Sequence, residues 1–525
     1  MKRQPYLSTV TSVIGLAVCM AMLVTLPLIS CNKSVSNRTD NLPALNPANT
    51  DLNAGAWKTI LLTRPDTFAI PVPAAINSPL YLADLNEIKG LQNQLNSDQA
   101  GKIKYWSAGG VLRWNEIMRS LVAKYNLPPY QNADGSYPIP SSANPFAYPL
   151  FPFSNPPYAG RAYAYVSAAQ YDALVACWHY KQLYNRPAPY RVDSTIKIFA
   201  ARTSLPSYPS EGAVLAGVTS EMMKLLFPDE IANIQQKLQE QELSLIQSGA
   251  ATRSDVTAGE ALGRQVAEAF IARGRADNAG KAVGTPAVWA GFVTQTQAAG
   301  QIPWVSMEVP QRPPMLPLFG KVIPFLFDTA TVSALRPGPP PSTGSDEMKK
   351  ETQEVYGFIK NPGRDQISIV QKWADGVGTY TPAGHWDAIA ADDFITKNFS
   401  EVRWARNMAL LNMSLMDAGI VCWATKYYYF NPRPTQMDGD IKTLTGIPNF
   451  PSYISGHSTF SGAASTILGH ILPDRASAYT AMAQEASMSR IYGGIHYRID
   501  CSTGLTVGQN VGGYAILRAT KDGAE

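Results

Sequence analysis

A spacing of 245 residues constrains this chain more than any other feature. Asp172, Cys177, Trp178 and Lys181 recur in type and order as Asp417, Cys422, Trp423 and Lys426. Pro206-Ser207-Tyr208 and Ser210 recur as Pro451-Ser452-Tyr453 and Ser455, and Pro228-Asp229 as Pro473-Asp474. Asp255, Gly259 and Gly263 recur as Asp500, Gly504 and Gly508. One offset held from Asp172 to Gly263 implies two copies of one structural unit. Upstream, Trp106 and Trp114 echo Trp373 and Trp386, with insertions.

The unit is helical. Apolar residues recur with helical period over 81–96, 110–125, 159–184, 210–226, 229–246, 258–273, 345–358, 401–428, 458–472, 476–491 and 496–518. Few stretches alternate as strands do, and proline gathers between the periodic segments. The fold class is therefore all-α, with two related helical bundles packed together and the chemistry in the second. The expected order is a targeting segment over 1–31, a flexible tether and N-terminal extension over 32–75, and a degenerate first bundle over 76–290. A connector over 291–345, stiffened by Arg336-Pro337-Gly338-Pro339-Pro340-Pro341, then leads to a C-terminal domain over 346–525. Charged residues make up 16% of the chain and the net charge is +4. No basic run or aromatic-basic stripe suggests nucleic acid. Cys177, Cys422 and Cys501 lie too far apart for a zinc motif or a disulfide framework.

Three stretches carry chemistry. In Lys426-Tyr-Tyr-Tyr-Phe-Asn-Pro-Arg433-Pro, the two prolines should end a helix and turn Arg433 off its axis. In Pro451-Ser-Tyr-Ile-Ser455-Gly456-His457, Ser455 suits a helix N-cap, Gly456 lets the backbone approach a ligand, and His457 is placed for acid–base work. In Ser489-Arg490 through His496 to Asp500, the glycine pair 493–494 breaks a helix and a second helix is expected to begin at His496. Asp500, four residues on, can take one imidazole N–H and leave the other nitrogen for a ligand. Cations, an oriented imidazole and helix N-termini suit a tetrahedral oxyanion. A plain helix–loop–helix with a buried histidine fits the last stretch equally well.

The three motifs in this order resemble the signature of the type 2 phosphatidic acid phosphatase (PAP2) and vanadium haloperoxidase superfamily. Pro451 stands four residues before Ser455, as in the haloperoxidase-like branch. Asp417 to Ile420 with Trp423, and Phe450, are similar to vanadium chloroperoxidases. Trp373-Ala374-Asp375-Gly376 resembles the segment whose aspartate pairs with an oxyanion-binding arginine. The resemblance covers about 370–520. It implies that Lys426, Arg433, Arg490, Ser455 and Gly456 hold the oxyanion, that His496 binds vanadium or phosphorus, and that His457 is the acid–base group. Asp375, Trp423 and Phe450 would line the site or a halide pocket. Bound vanadate would serve oxidation of halide by hydrogen peroxide. Phosphate in the same pocket would be a substrate group or inhibitor, and the alternative activity is hydrolysis of phosphate esters through a phosphohistidine. A helical nutrient-binding lipoprotein is the reading from another class. The first copy lacks the chemistry, since Glu211 and Gly212 stand where Gly456 and His457 do, Leu245 replaces Arg490 and Ala251 replaces His496. Lys181 then reads as an ordinary ion-pairing lysine.

The start of the chain resembles a bacterial lipoprotein signal. Lys2 and Arg3 precede an apolar run that stops at Ser30-Cys31. Cys31 would be lipidated, so membrane attachment would be through that anchor alone, at the outer membrane, periplasm or cell surface, with no mature segment spanning the bilayer. Cys31→Ser should block lipidation and leave an uncleaved precursor, checked by fatty-acid labelling and gel mobility. Normal processing of that variant would point to a different signal.

Overall fold

In the computed structural model, residues 41–126, 156–307, 311 and 313–525 are described. The targeting segment, Cys31 and the first part of the tether lie outside them. Among the described residues there are helices, turns and loops and no strand. The principal helices are α1 (Pro156–Tyr184), α2 (Glu211–Leu226), α3 (Ile231–Gln247), α4 (Arg253–Ala276), α5 (Thr381–Ile395), α6 (Glu401–Tyr429), α7 (Gly456–Ile471), α8 (Ala476–Tyr492) and α9 (Arg498–Ala519). Each of α6 to α9 starts 245 residues after its counterpart among α1 to α4.

The core is built on α1 and α6. Both are 29 residues long and buried nearly all round, the pattern of a central helix rather than an amphipathic surface one. They pack on each other, and Asn412 Nδ2 on α6 donates to Ser167 Oγ on α1 at 3.1 Å across the same offset of 245 residues. Matched positions that touch each other are what an approximate twofold between the two sets requires. By length and hydropathy Glu401–Met437 could cross a membrane, against the sequence expectation of no mature span. Its apolar window is 94% buried inside the fold, so it is spent on the core.

Other contacts recur at the same spacing. Cys177 Sγ faces Pro209 O and Cys422 Sγ faces Ile454 O, both at 3.6 Å. Trp106 Nε1 donates to Glu240 and Trp373 Nε1 to Glu485, where the glutamates keep the spacing and the tryptophans, separated by insertions, do not. Asp172 accepts the N–H groups of Ile60, Leu61 and Leu62, while Asp417 accepts those of Phe325 and Leu326. The pairs α2–α4 and α7–α9 cross closely because glycine stands at the crossing. A Cβ at Gly263 would run into Val214 O, and one at Gly508 into Thr459 O.

The tether departs from expectation, and the stiff connector is packed along its length. The tether is packed by residue 51, because the Asp51 carboxylate takes Arg403 Nε at 3.0 Å and a hydrogen bond from Ser400, and Trp57 is buried. The connector is built into the fold rather than standing free. Asp417 holds 325–326, Trp304 N donates to Phe430 O, and Tyr429 and Tyr453 donate to Pro337 O and Gly338 O.

Gly508→Ala should cost about 1–3 kcal/mol by overpacking the α7–α9 crossing. Gly513→Ala, on the same helix with nothing within 4 Å of its Cβ, should be neutral or stabilise by up to about 1 kcal/mol. Denaturant midpoints compare the two, and equal effects would show that close approach does not set this crossing.

Candidate functional site

The cationic site is assembled from helix ends. Lys426 lies in the last turn of α6, which Phe430 terminates in the left-handed region at φ 49°. The Lys426 ammonium donates to Pro451 O and Ser452 O, both at 2.8 Å. Pro432 and Pro434 turn the chain so that Arg433 points inward. Its Nε donates to Phe450 O at 3.0 Å, and its Nη1 donates to Ile495 O at 2.7 Å and lies 3.1 Å from His496 Nε2. Ser455 is the N-cap of α7, as expected, and Gly456 and His457 are its first two residues. A Cβ at Gly456 would make ordinary van der Waals contact with the Trp423 ring at 3.8 Å and the Phe460 ring at 4.0 Å.

The second and third motifs join through Asp500. Helix α9 begins at Arg498, so His496 precedes the helix rather than opening it. Asp500 Oδ2 accepts His496 Nδ1 at 2.9 Å, Ser452 Oγ at 2.5 Å and Tyr497 N at 3.2 Å. That set assigns the proton of a neutral His496 to Nδ1 and leaves a lone pair on Nε2. Arg490 donates through Nη1 to Trp373 O at 2.9 Å, while its buried Nε has no partner.

Asp375 differs from expectation. It was read as the partner of an arginine, but its two oxygens face two histidines. His385 Nδ1 lies 2.9 Å from Oδ1, and His457 Nε2 lies 3.3 Å from Oδ2. The charge of Asp375 still acts on Arg490, which also donates to the Trp373 carbonyl. Trp423 and Phe450 form an apolar wall, with ring centroids 4.9 Å apart. Lys426 Nζ and Arg433 Cζ each stand 5.0 Å from the Phe450 ring centre.

Electrostatics show a surplus of positive charge in this arrangement. Lys426, Arg433, Arg490 and His496 are at most 3% exposed. Burial lowers Lys426 to about 7, Arg433 to about 9 and Arg490 to about 10. Burial, then the charges of Arg433, Lys426 and Arg490, hold His496 well below its ordinary value. Burial and then Arg490 lower His457 to about 4. Burial raises Asp500 to about 6. Three buried cations face two carboxylates, and a buried positive charge left unpaired is costly. An anion relieves it, so these residues fit an oxyanion held by Lys426, Arg433, Arg490, Ser455 and the Gly456 N–H.

Residues 407–521 match the PAP2 superfamily. That segment contains all three motifs, as their resemblance implied. Among solved structures, the chain is similar to a bacterial vanadium-dependent iodoperoxidase, at 21% identity and TM-score 0.56, over 78% of this chain and 96% of that one. A bacterial vanadium-dependent chloroperoxidase in its apo form gives 12% identity and TM-score 0.49, over 70% and 94%. No curated protein matches. The iodoperoxidase likeness shows that the helical fold outside the PAP2 segment is shared as well.

The first helical set has no such site. Ser207 Oγ meets Asp255 at 3.2 Å, as Ser452 meets Asp500, but the partner on Asp255 is the Arg186 guanidinium rather than an imidazole. Lys181 does not act as an ion-pairing lysine, because its ammonium is bound to the Pro206 carbonyl, the counterpart of the Lys426–Pro451 contact. Glu211 accepts Trp178 Nε1 at 2.7 Å. The sequence reading missed Ser452 and His385. Ser452 could have been found from its pairing with Ser207 at the repeat spacing, whereas His385 had no motif around it.

A depressed Lys426 means that, above about pH 7, the anion-free fold binds fewer protons than the unfolded chain, so its contribution to stability rises with pH from about 7 towards 10.5. An oxyanion favours the ammonium. Phosphate binding at pH 8 should therefore take up about one proton per anion, measured by calorimetry in buffers of different ionisation heat. Lys426→Met should remove the uptake. Lys181→Ala should leave anion affinity unchanged, and an equal loss from both variants would contradict a single site.

Proposed function

We propose that this chain is a vanadate-dependent haloperoxidase, oxidising halide with hydrogen peroxide. The observation that carries the reading is the His496 Nε2 lone pair, fixed by Asp500 among three buried cations. A neutral imidazole of set tautomer is a metal ligand, and the cations neutralise the oxygens of the anion it binds. Bound vanadate supplies Lewis-acid activation of peroxide. The chain's own residues do the rest. Lys426, Arg433 and Arg490 hold the anion, while Ser455 and the Gly456 N–H donate to it. His457, neutral at pH 7, exchanges a proton beside it. Trp423 and Phe450 keep one wall dry, where a weakly hydrated halide competes well with water. We also propose secretion with a lipid anchor on Cys31, on the strength of the leader alone.

The same lone pair favours a second reading. His496 Nε2 can attack a phosphate monoester, with the protonated fraction of His457, which grows as the pH falls towards 4, giving its proton to the leaving alkoxide. Assaying the purified protein for bromination with vanadate and for ester hydrolysis without it separates the two.

His496→Ala should abolish tight vanadate binding and vanadate-dependent halide oxidation. His457→Ala should keep much of the binding but lose turnover by about 10²–10⁴-fold. Vanadate titrations with phosphate as competitor check both, and undiminished binding by His496→Ala would refute the assigned ligand.

A further inference from the structure

The first helical set has lost the anion cradle but kept a hollow in its place. A cavity of about 410 Å³ lies there, with Trp178, Lys181, Ser210, Glu211, Leu245 and Ala251 on its wall. Each stands 245 residues before a residue of the anion site: Trp423, Lys426, Ser455, Gly456, Arg490 and His496. The cavity is therefore the counterpart of that site, and its chemistry is reversed. Leu245 and Ala251 stand in for a cation and an imidazole. Glu211 puts a carboxylate where Gly456 offers only an N–H.

A second carboxylate comes from the other set. Glu401, the first residue of α6, also lines the cavity. It accepts Gly110 N at 3.0 Å and Val111 N at 2.7 Å, while Glu211 accepts Trp178 Nε1 at 2.7 Å. These neutral donors orient the carboxylates but remove no charge. Burial, and then the charge of Glu211, raise Glu401 to about 7, so the two carboxylates repel. The other charged groups on the wall are Lys181 and Arg202. Lys181 is buried with its ammonium turned onto Pro206 O, and Arg202 is exposed, where water and salt screen it. Two carboxylates against one buried ammonium leave one negative charge over. Ser210 adds an unused polar group. It is 4% exposed and is the N-cap of α2, yet it makes no cap hydrogen bond, whereas Ser455 caps α7. Trp106, Trp178 and Tyr190 make part of the wall aromatic.

We propose that this cavity binds a small organic monocation, a primary ammonium carried on an apolar body. The ammonium has three hydrogens, and Glu211, Glu401 and the Ser210 hydroxyl are three acceptors for them, two of the bonds charge-assisted. The apolar body lies against Trp106, Trp178 and Leu245, whose indoles also favour a cation near their faces. The volume is that of a small-molecule pocket. A bare metal ion fits less well, because no group of three His, Cys, Asp or Glu that could hold one occurs among the described residues. The inference does not depend on what the anion site does.

The test is calorimetry at pH 8 on the purified protein, with benzylammonium as the probe and benzyl alcohol as its neutral analogue. Benzylammonium should bind saturably, one per chain, and about tenfold or more tightly than benzyl alcohol, the effect of a charge-assisted hydrogen bond. Glu211→Gln keeps an acceptor for Trp178 Nε1 and should weaken benzylammonium about tenfold while leaving benzyl alcohol unchanged. Leu245→Lys puts a cation on this wall, where the second set has Arg490, and should weaken benzylammonium at least as much. It decides the question if Glu211→Gln does not fold. No saturable binding at millimolar benzylammonium, equal affinity for the two probes, or benzylammonium affinity unchanged in a folded variant would each overturn the proposal.

Discussion

The site depends on one imbalance: three cationic side chains are buried at one place with too little negative charge to pair them. Lys426 and Arg433 are fully buried and Arg490 is 3% exposed. Backbone carbonyls at Phe450, Pro451, Ser452, Ile495 and Trp373 satisfy many of their hydrogen bonds but neutralise no charge. An isolated chain of such composition would expel these groups to water. Here the rigid helices around them prevent that, so an anion bound among them would be strongly stabilised.

The fold supplies the rigidity through helix ends. Lys426 closes α6, Gly456 and His457 open α7, Arg490 closes α8, and Asp500 lies in the first turn of α9. Each helix body is locked in the core by close crossings, so the side chains at the ends have little freedom. The first helical set keeps the same crossings and the same Ser–Asp contact but fills the imidazole position with Arg186. Scaffold and chemistry are thus separable in this molecule. The framework around Asp255 and Asp500 is alike, and the residues that touch the framework decide which of the two holds an anion.

Much of this was legible in the sequence because local rules wrote it. Proline at 432 and 434, serine at 455 and glycine at 493–494 act through the backbone of their own neighbourhood, so the helix ends and inward side chains could be read residue by residue. What failed to show depended on distant partners. Thr381–Ile395 is missing from the periodic segments because Pro382 and Gly384 interrupt its start, yet it is a helix, with Gly384 packed against Tyr163 where a Cβ would clash. With that helix unread, His385 had no visible neighbour. Asp51 looked like part of a polar tether because its partner Arg403 lies 352 residues away. Asp375 was assigned an arginine, and only the three-dimensional path of the loop brings it between two imidazoles.

The most direct test of the central claim is the stoichiometry of tight anion binding. After equilibrium dialysis of the wild-type protein against vanadate, bound vanadium per chain would be counted and phosphate then added. The account predicts one vanadium per chain, displaced by phosphate, because among the described residues the second helical set alone gathers three buried cations at one place. A count near two, or vanadium that phosphate fails to displace, would contradict it.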